Sequence, residues 1–177
     1  MIQGKRIRFR GVERSDLPLF VDWLADPEVR FGIATYLPMS MPREEQWFEA
    51  TLKRPQDEQS LVIEALINLS WKVIGTCGFH NIDWRVSQAE VGILIGEKTH
   101  WDKGLGSEAM QLLLEHAFNT LNLNRAFLRV IASNGRAIRS YEKVGFVLEG
   151  RMRQADFQDG KHIDVLYMGI LKTEWAS

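Results

Sequence analysis

Two glycines at the start of a helical segment constrain this chain more than any other feature. Gly104 and Gly106 lie between a strand-like run, Gln88–Gly96, and a strongly helical run, Leu105–Leu121. Such a turn lets backbone N–H groups point toward an anion, and the helix N-terminus adds a positive partial charge there. No Lys-Ser/Thr pair follows the glycines and a third glycine is missing, so neither the nucleotide P-loop nor the dinucleotide fingerprint is present.

A second segment strengthens the case for a ligand at this turn. After an apolar run at Arg125–Ala132 come Asn134, Tyr141 and the pair Gly145-Phe146. With these residues in this order, the chain resembles the GCN5-related N-acetyltransferases (GNAT), which bind acetyl-CoA. The glycine turn resembles the pyrophosphate loop of that family, and the second segment resembles its Asn…Tyr-x-x-x-Gly-Phe motif.

Three further segments are similar to the RimJ/RimL-like branch, which holds protein N-terminal and polyamine acetyltransferases: Trp101–Gly104, Asn122–Arg125 and Asp159–Asp164. The specific motifs cover residues 75–170, and the preceding part of the chain matches only in layout. One departure concerns the cofactor, because the wider family often has Arg or Gln where this chain has Trp101.

Length and charge narrow the remaining possibilities. The 177 residues suffice for one domain, residues 1–177, and the net charge of −1 favours neither nucleic acid nor an anionic membrane. Arg6, Arg8 and Arg10 form one local basic face, which we interpret as the wet side of an edge strand. The lone Cys77 lies in an apolar strand and is interpreted as a buried thiol. We expect a cytoplasmic protein, monomeric or homodimeric, with no membrane-spanning run.

The hydrophobic pattern predicts an α/β (α+β) layered domain. The resemblance implies a GNAT-like, mixed and mostly antiparallel central sheet of six to seven strands flanked by about four helices. Predicted strands are Lys5–Val12, Leu61–Leu66, Trp71–Phe79, Gln88–Gly96, Arg125–Ala132, Phe146–Arg151 and His162–Leu171. One predicted helix begins near Ser15. Three others extend over Pro42–Leu52, Leu105–Thr120 and Arg136–Val144.

Acetyl transfer needs a held pyrophosphate and hydrogen-bond donors for the acyl carbonyl. Backbone groups of the glycine turn are the candidates for the pyrophosphate: Lys103, Gly104, Leu105, Gly106, Ser107 and Glu108. The exposed edge of a strand, at Val91, Ile93 and Ile95, is the candidate for the carbonyl and the pantetheine arm. Asn134 is a second candidate for the arm, although a helix cap explains it equally well.

The transfer also needs a base for the amine and an acid for the leaving thiolate. Glu90, an acidic residue inside an apolar strand, is the first candidate base; a solvated residue or an ion pair explains it equally well. His80 is the second candidate base. The resemblance assigns Tyr141 as the acid near the thiolate, and a core tyrosine is the alternative.

The resemblance implies that the acceptor is an amine, either that of a protein N-terminus, such as that of a ribosomal protein, or that of a small molecule such as a polyamine or amino sugar. Candidate acceptor-site residues are Tyr36, Trp47, His80, Asp83 and Trp84. Metal-ligand spacing and a nucleophile elbow are both missing, which favours direct attack within a ternary complex. A CoA-binding sensor without catalysis is the alternative from a different class, and a nucleic-acid-binding domain is disfavoured.

Overall fold

The computed structural model describes residues 1–33, 37 and 39–175. Its centre is one sheet of eight strands, and five α-helices pack against it. The strands are β1 Ile2–Gln3, β2 Ile7–Gly11, β3 Leu61–Ile67, β4 Ser70–Asp83, β5 Gln88–Ile95, β6 Arg125–Ile131, β7 Val147–Gln158 and β8 Lys161–Leu171. The helices are α1 Leu17–Ala25, α2 Pro27–Arg30, α3 Met41–Leu52, α4 Leu105–Glu115 and α5 Gly135–Val144.

The strand order is β1-β2-β3-β4-β5-β6-β8-β7, and β5 and β6 pair in parallel while their neighbours pair antiparallel. The parallel pairing is short. It joins Gln88, Ala89 and Glu90 to β6 and stops, although β5 continues to Ile95 and β6 to Ile131. The two strands therefore part beyond Glu90 and leave a wedge-shaped opening in the middle of the sheet, with unpaired backbone groups along its sides.

Two apolar clusters cover the two faces of the sheet. The larger one packs α4 against the strands, and its Met110, Leu113 and Leu114 have no exposed surface. The smaller one packs α1 and α3 over the other face, with Phe20, Trp23 and Phe48 among its buried members. Full burial of such a side chain stabilises the fold by about 2 kcal/mol, so both helix layers are held firmly on the sheet.

The sheet has one strand more than the predicted six to seven, because the two-residue β1 adds to the edge at β2. About four helices were predicted, and the fifth, the short helix α2, was missed. The pair Asp26-Pro27 follows the end of α1, and the Asp26 side chain accepts a hydrogen bond from the Glu28 N–H and starts the one-turn helix α2. The helix after the glycines changes at Glu115 into a π-helical turn, His116–Thr120.

The arginine face of β2 is not simply solvated, so that interpretation is wrong. Arg8 and Arg10 both bind Glu64, with N–O distances of 2.5 and 3.2 Å, and Arg10 also binds Asp16 at 2.7 Å. Burial opposes ionisation of Asp16, but hydrogen bonds from Arg10 and from the Glu13 N–H outweigh burial and lower its pKa. This network ties β2 to β3 and to the start of α1.

Candidate active site

A groove of about 350 Å³ occupies the opening between β5 and β6. Five elements contribute to its walls: the free ends of the two strands, the N-terminus of α4, one face of α5, and α2 with the residues that follow it. Lining residues predicted from the sequence are Ile93, Ile95, Gly104, Gly106, Ser107, Asn134 and Tyr141. The structure therefore brings the glycine turn, the strand edge and the Asn…Tyr segment together at one place.

The glycine turn has the geometry of an anion-binding helix start. Gly104 adopts φ +76°, a left-handed conformation that L side chains rarely adopt, and the first residue of α4 follows directly. Gly106 has helical backbone instead, and a Cβ placed there would meet only Ile95 Cγ1, at 3.6 Å. The backbone at Gly106 would therefore accept a side chain, and the effect of glycine at this position is to leave room in the groove.

Trp101 stands where the wider family often has Arg or Gln. Its side chain has a structural role, and a charged residue lies beside it. Its indole Nε1 donates a 2.7 Å hydrogen bond to the Ile95 carbonyl and fixes the turn against the end of β5. The Arg136 guanidinium lies 3.4 Å from the centre of its ring. Arg136 lines the groove, so a cation reaches this place from α5.

Sequence reasoning missed the basic face of α5. Arg136, Arg139 and Lys143 all line the groove. Their spacing of three and four residues, which places side chains on one side of a helix, was the signal available in the sequence.

The second segment brings a helix-capping side chain and a buried phenol to the groove. Asn134 caps α5 by accepting a 3.2 Å hydrogen bond from the Ala137 N–H, and it also lines the groove. Tyr141 lines the same groove, and burial raises its pKa to about 12. The Tyr141 phenol therefore keeps its proton at neutral pH and is able to donate it.

A second cavity, of about 330 Å³, lies between the sheet and the layer of α1 and α3. It shares Ile33, Ile93 and Leu94 with the groove, so the two spaces meet at β5. The rest of its described lining is Phe20, Trp23, Leu24, Met39, Glu44, Trp47, Ser60, Thr76, Cys77, His80 and Gly92. Two predicted acceptor-site residues, Trp47 and His80, thus lie in one cavity next to the groove.

The two candidate bases are neighbours across β4 and β5, because His80 pairs with Glu90 in the strand register. His80 lines the cavity, and burial, aided by the charge of Arg54, lowers its pKa, so its imidazole is neutral at pH 7. Glu90 lines neither space. Its carboxylate binds the Arg129 guanidinium at 2.7 Å, where β5 and β6 begin to part.

The remaining acceptor-site candidates are not brought to this cavity. Asp83 accepts hydrogen bonds from the Arg85 and Val86 N–H groups within its own turn, and Trp84 is 54% exposed. Neither lines the cavity or the groove. Tyr36 lies outside the described residues.

Four of the cofactor candidates do not line the groove with their side chains. Val91 and Leu105 are buried in the larger apolar cluster. The Glu108 carboxylate is held by the Arg6 backbone N–H and guanidinium, each at 2.8 Å. Lys103 is exposed beside the turn. A role for these four residues would use only their backbone groups.

Glu44 was not anticipated from the sequence, because it sits in a run of charged residues that resembles a solvated helix face. It is instead 3% exposed and lines the cavity. Cys77 is buried as predicted, and burial raises the pKa of its thiol. Within the described residues no cluster of three metal-ligating side chains occurs, and no described helix is long and apolar enough to cross a membrane.

The resemblance implied a transferase that binds an acyl-CoA, and the mixed sheet that opens beside a glycine turn agrees with that class of protein. The chain belongs to the GNAT acetyltransferase family: the family model described as "Acetyltransferase (GNAT) domain" matches residues 6–147. It is an acetyl-CoA-dependent N-acetyltransferase.

Individual relatives agree with this membership. An N-acetyltransferase named p20 from Bacillus licheniformis is 32% identical, over 97% of this chain and 96% of its own length. The L-amino acid N-acetyltransferase AaaT of Escherichia coli is 27% identical, over 94% of this chain and 98% of its own. The structure of spermidine N-acetyltransferase from Vibrio cholerae with CoA and spermine has a TM-score of 0.86 at 25% identity, covering 96% of this chain and 97% of that one.

Proposed function

We propose that this enzyme moves an acetyl group directly from acetyl-CoA in the β5–β6 groove to a primary amine in the neighbouring cavity. The observation that carries the proposal is the meeting of the two spaces at Ile33, Ile93 and Leu94. A thioester lying along β5 and an amine entering from the α1–α3 side would meet at that junction. Holding both reactants there turns a bimolecular step into an effectively unimolecular one.

The cofactor would be held mainly by backbone groups. Gly104, Gly106 and Ser107 line the groove at the start of α4, and their backbone N–H groups would bind the pyrophosphate. Arg136 and Arg139 would add positive charge from α5. The unpaired edge of β5 would bind the pantetheine arm and the acyl carbonyl, except for the Ile95 carbonyl, which already accepts the Trp101 indole N–H.

The chemical step is a nucleophilic substitution at the acyl carbon. The amine nitrogen forms a bond to that carbon, the carbon–sulfur bond breaks, and the amine loses one proton. Tyr141, protonated because burial raises its pKa to about 12, would give a proton to the leaving thiolate. Backbone N–H groups of β5 would stabilise the charge that develops on the carbonyl oxygen.

The base for the amine proton is proposed to be His80, with Glu90 beside it as the alternative. His80 lines the acceptor cavity and is neutral, so its imidazole has a lone pair available for a proton. Glu90 is bound by Arg129 and does not line the cavity, so it would have to act on the amine through His80 or a water molecule. The choice reverses the order of preference drawn from the sequence, and its support is that His80 lines the cavity whereas Glu90 lines neither space.

The cavity favours a compact acceptor with one amine. Its described lining holds one carboxylate, that of Glu44, among aromatic and aliphatic side chains. A long polyamine such as the spermine bound to the Vibrio cholerae relative calls for several carboxylates along its length. A small primary amine or the α-amine of a peptide N-terminus fits these surroundings better.

Calorimetric titration tests the cofactor site, with acetyl-CoA, CoA and ATP as ligands. We expect micromolar binding of acetyl-CoA and CoA and no binding of ATP. A mass-spectrometric screen of small amines and peptide N-termini then tests acetyl transfer. A folded protein that binds no acetyl-CoA, or that binds it and acetylates none of these amines, would contradict the proposal.

A further inference from the structure

Glu44 is a buried carboxylate with an unusual position. It lies in the first turn of α3, on the buried side of that helix together with Phe48 and Thr51. It is 3% exposed and lines the cavity, whereas its neighbours Arg43 and Glu45 are exposed. Within the described part of the chain, no donor or cation pairs with its carboxylate.

The other buried carboxylates of the described residues show how this protein normally treats such a group. Glu64 and Asp16 are each 7% exposed, and arginine guanidinium groups bind both. Burying an unpaired carboxylate is costly, and burial raises the pKa of the Glu44 carboxyl. A cationic ligand in the cavity would supply the missing partner.

Aromatic rings surround the same space. Phe20 stacks on Trp23 with ring centres 5.6 Å apart and meets Trp47 edge-on at 6.2 Å, and all three residues line the cavity. Aromatic faces attract ammonium groups, most strongly where water is excluded. No lysine or arginine belongs to the described lining, so nothing positive there competes with a cationic guest.

We propose that Glu44 and these three rings form the acceptor-recognition site, and that it selects amines that arrive as ammonium ions attached to a compact apolar group. The inference rests on the proposed function and names the acceptor class for it. Glu44 binds the ammonium ion and the rings bind the attached apolar group. The amine then gives its proton to the base at β4–β5 before attack. Arylamines and other amines that are neutral at pH 7 gain nothing from Glu44.

Glu44→Gln tests the site, because it keeps the shape of the side chain and removes the charge. The probe is 2-phenylethylamine, a cation at pH 7, titrated into protein saturated with CoA, with the neutral amine aniline for comparison. Loss of one charge-assisted contact should weaken 2-phenylethylamine binding about tenfold to a hundredfold and leave aniline binding unchanged. Glu45→Gln, on the exposed side of the same helix, should bind both probes as the wild type does.

Two further readouts separate this inference from its alternatives. The melting temperature of Glu44→Gln should be no lower than that of the wild type, because a buried unpaired charge is removed; a clear decrease would indicate a structural carboxylate and overturn the proposal. Equal affinity of wild type and Glu44→Gln for 2-phenylethylamine, or no binding to either, would also overturn it. Acetyl-CoA affinity should be the same in both proteins, and its absence in the wild type would count against the proposed function instead.

Discussion

The groove and the cavity, which meet at β5, differ in the kind of groups that line them. The groove is lined by a glycine turn, a helix N-terminus, a free strand edge and basic side chains of α5. The cavity is lined mainly by aromatic and aliphatic side chains, with one carboxylate, from elements far apart in the sequence. One space offers backbone groups and positive charge, and the other offers shape and a single negative charge.

This difference suggests that the fold determines cofactor binding, whereas individual side chains determine the choice of acceptor. In the proposed account, a pyrophosphate would be bound by N–H groups that any sequence with the right turn presents, so the groove would depend on glycine positions. The amine acceptor would be chosen by the identity of side chains on α1, α3 and β4. Substitutions in the groove should therefore alter cofactor binding and chemistry, and those in the cavity should alter acceptor choice.

The largest effect is expected from Tyr141→Phe, which removes the proposed proton donor and keeps the ring. We predict that kcat falls about a hundredfold, since general acid catalysis contributes roughly this much or more. The affinity for acetyl-CoA, measured by calorimetry, should stay within about twofold because the ring still fills the same place. A kcat equal to that of the wild type would remove Tyr141 from the mechanism.

His80→Gln should come next, with kcat/KM lower by about tenfold to a hundredfold. The pKa of His80 lies below its ordinary value of 6.5, so the wild-type rate should persist at neutral pH and be lost only as pH falls through that lowered pKa. The acidic limb should disappear in the variant. If Glu90→Gln loses the rate and the limb while His80→Gln keeps both, the assignment of the base must be exchanged.

Gly106→Val places a branched side chain in the groove without straining the turn, because the backbone there is helical and the nearest atom is 3.6 Å from the new Cβ. We predict that acetyl-CoA binds about tenfold more weakly, while acceptor binding in the cavity stays the same. The melting temperature serves as the control for folding. Full acetyl-CoA affinity in a folded variant would exclude the glycine turn as the pyrophosphate site.

The smallest effect is expected from Arg136→Gln, which removes one of the three basic residues of α5 at the groove. Acetyl-CoA affinity should fall about threefold to tenfold at low salt, and the difference should shrink as salt is added. Lys72→Gln, at an exposed position of β4 that lines neither the groove nor the cavity, is the matched loss of charge. An equal effect of the two changes would mean that Arg136 acts only through net charge.

The sequence predicted the groove far better than the cavity, and the reason is physical. Gly104 and Gly106 sit at a strand-to-helix turn, where a local motif determines both conformation and function. Asn134 and Tyr141 lie on the next turn and helix, which the short parallel pairing of β5 with β6 carries to the same place. Local sequence motifs, together with the parallel pairing of β5 and β6, were enough to predict which residues line the groove.

The cavity depends on contacts that no local pattern reports. Glu44 belongs to a charged run, Pro42-Arg43-Glu44-Glu45, and only the packing of α3 on the sheet decides which of its acids is buried. Asp83 and Trp84 looked suitable by composition, yet neither residue lines the cavity. The arginines of β2 looked solvated because their shared partner, Glu64, lies on another strand more than 50 residues further along the chain.

Initial-rate kinetics with both substrates varied test the central claim most directly, namely that the groove and the cavity are occupied together during transfer. Direct attack across the β5 junction predicts intersecting double-reciprocal lines, and no acetylated protein by intact mass after incubation with acetyl-CoA alone. Parallel lines, together with a protein that gains one acetyl group in the absence of acceptor, would show a covalent intermediate and contradict the account.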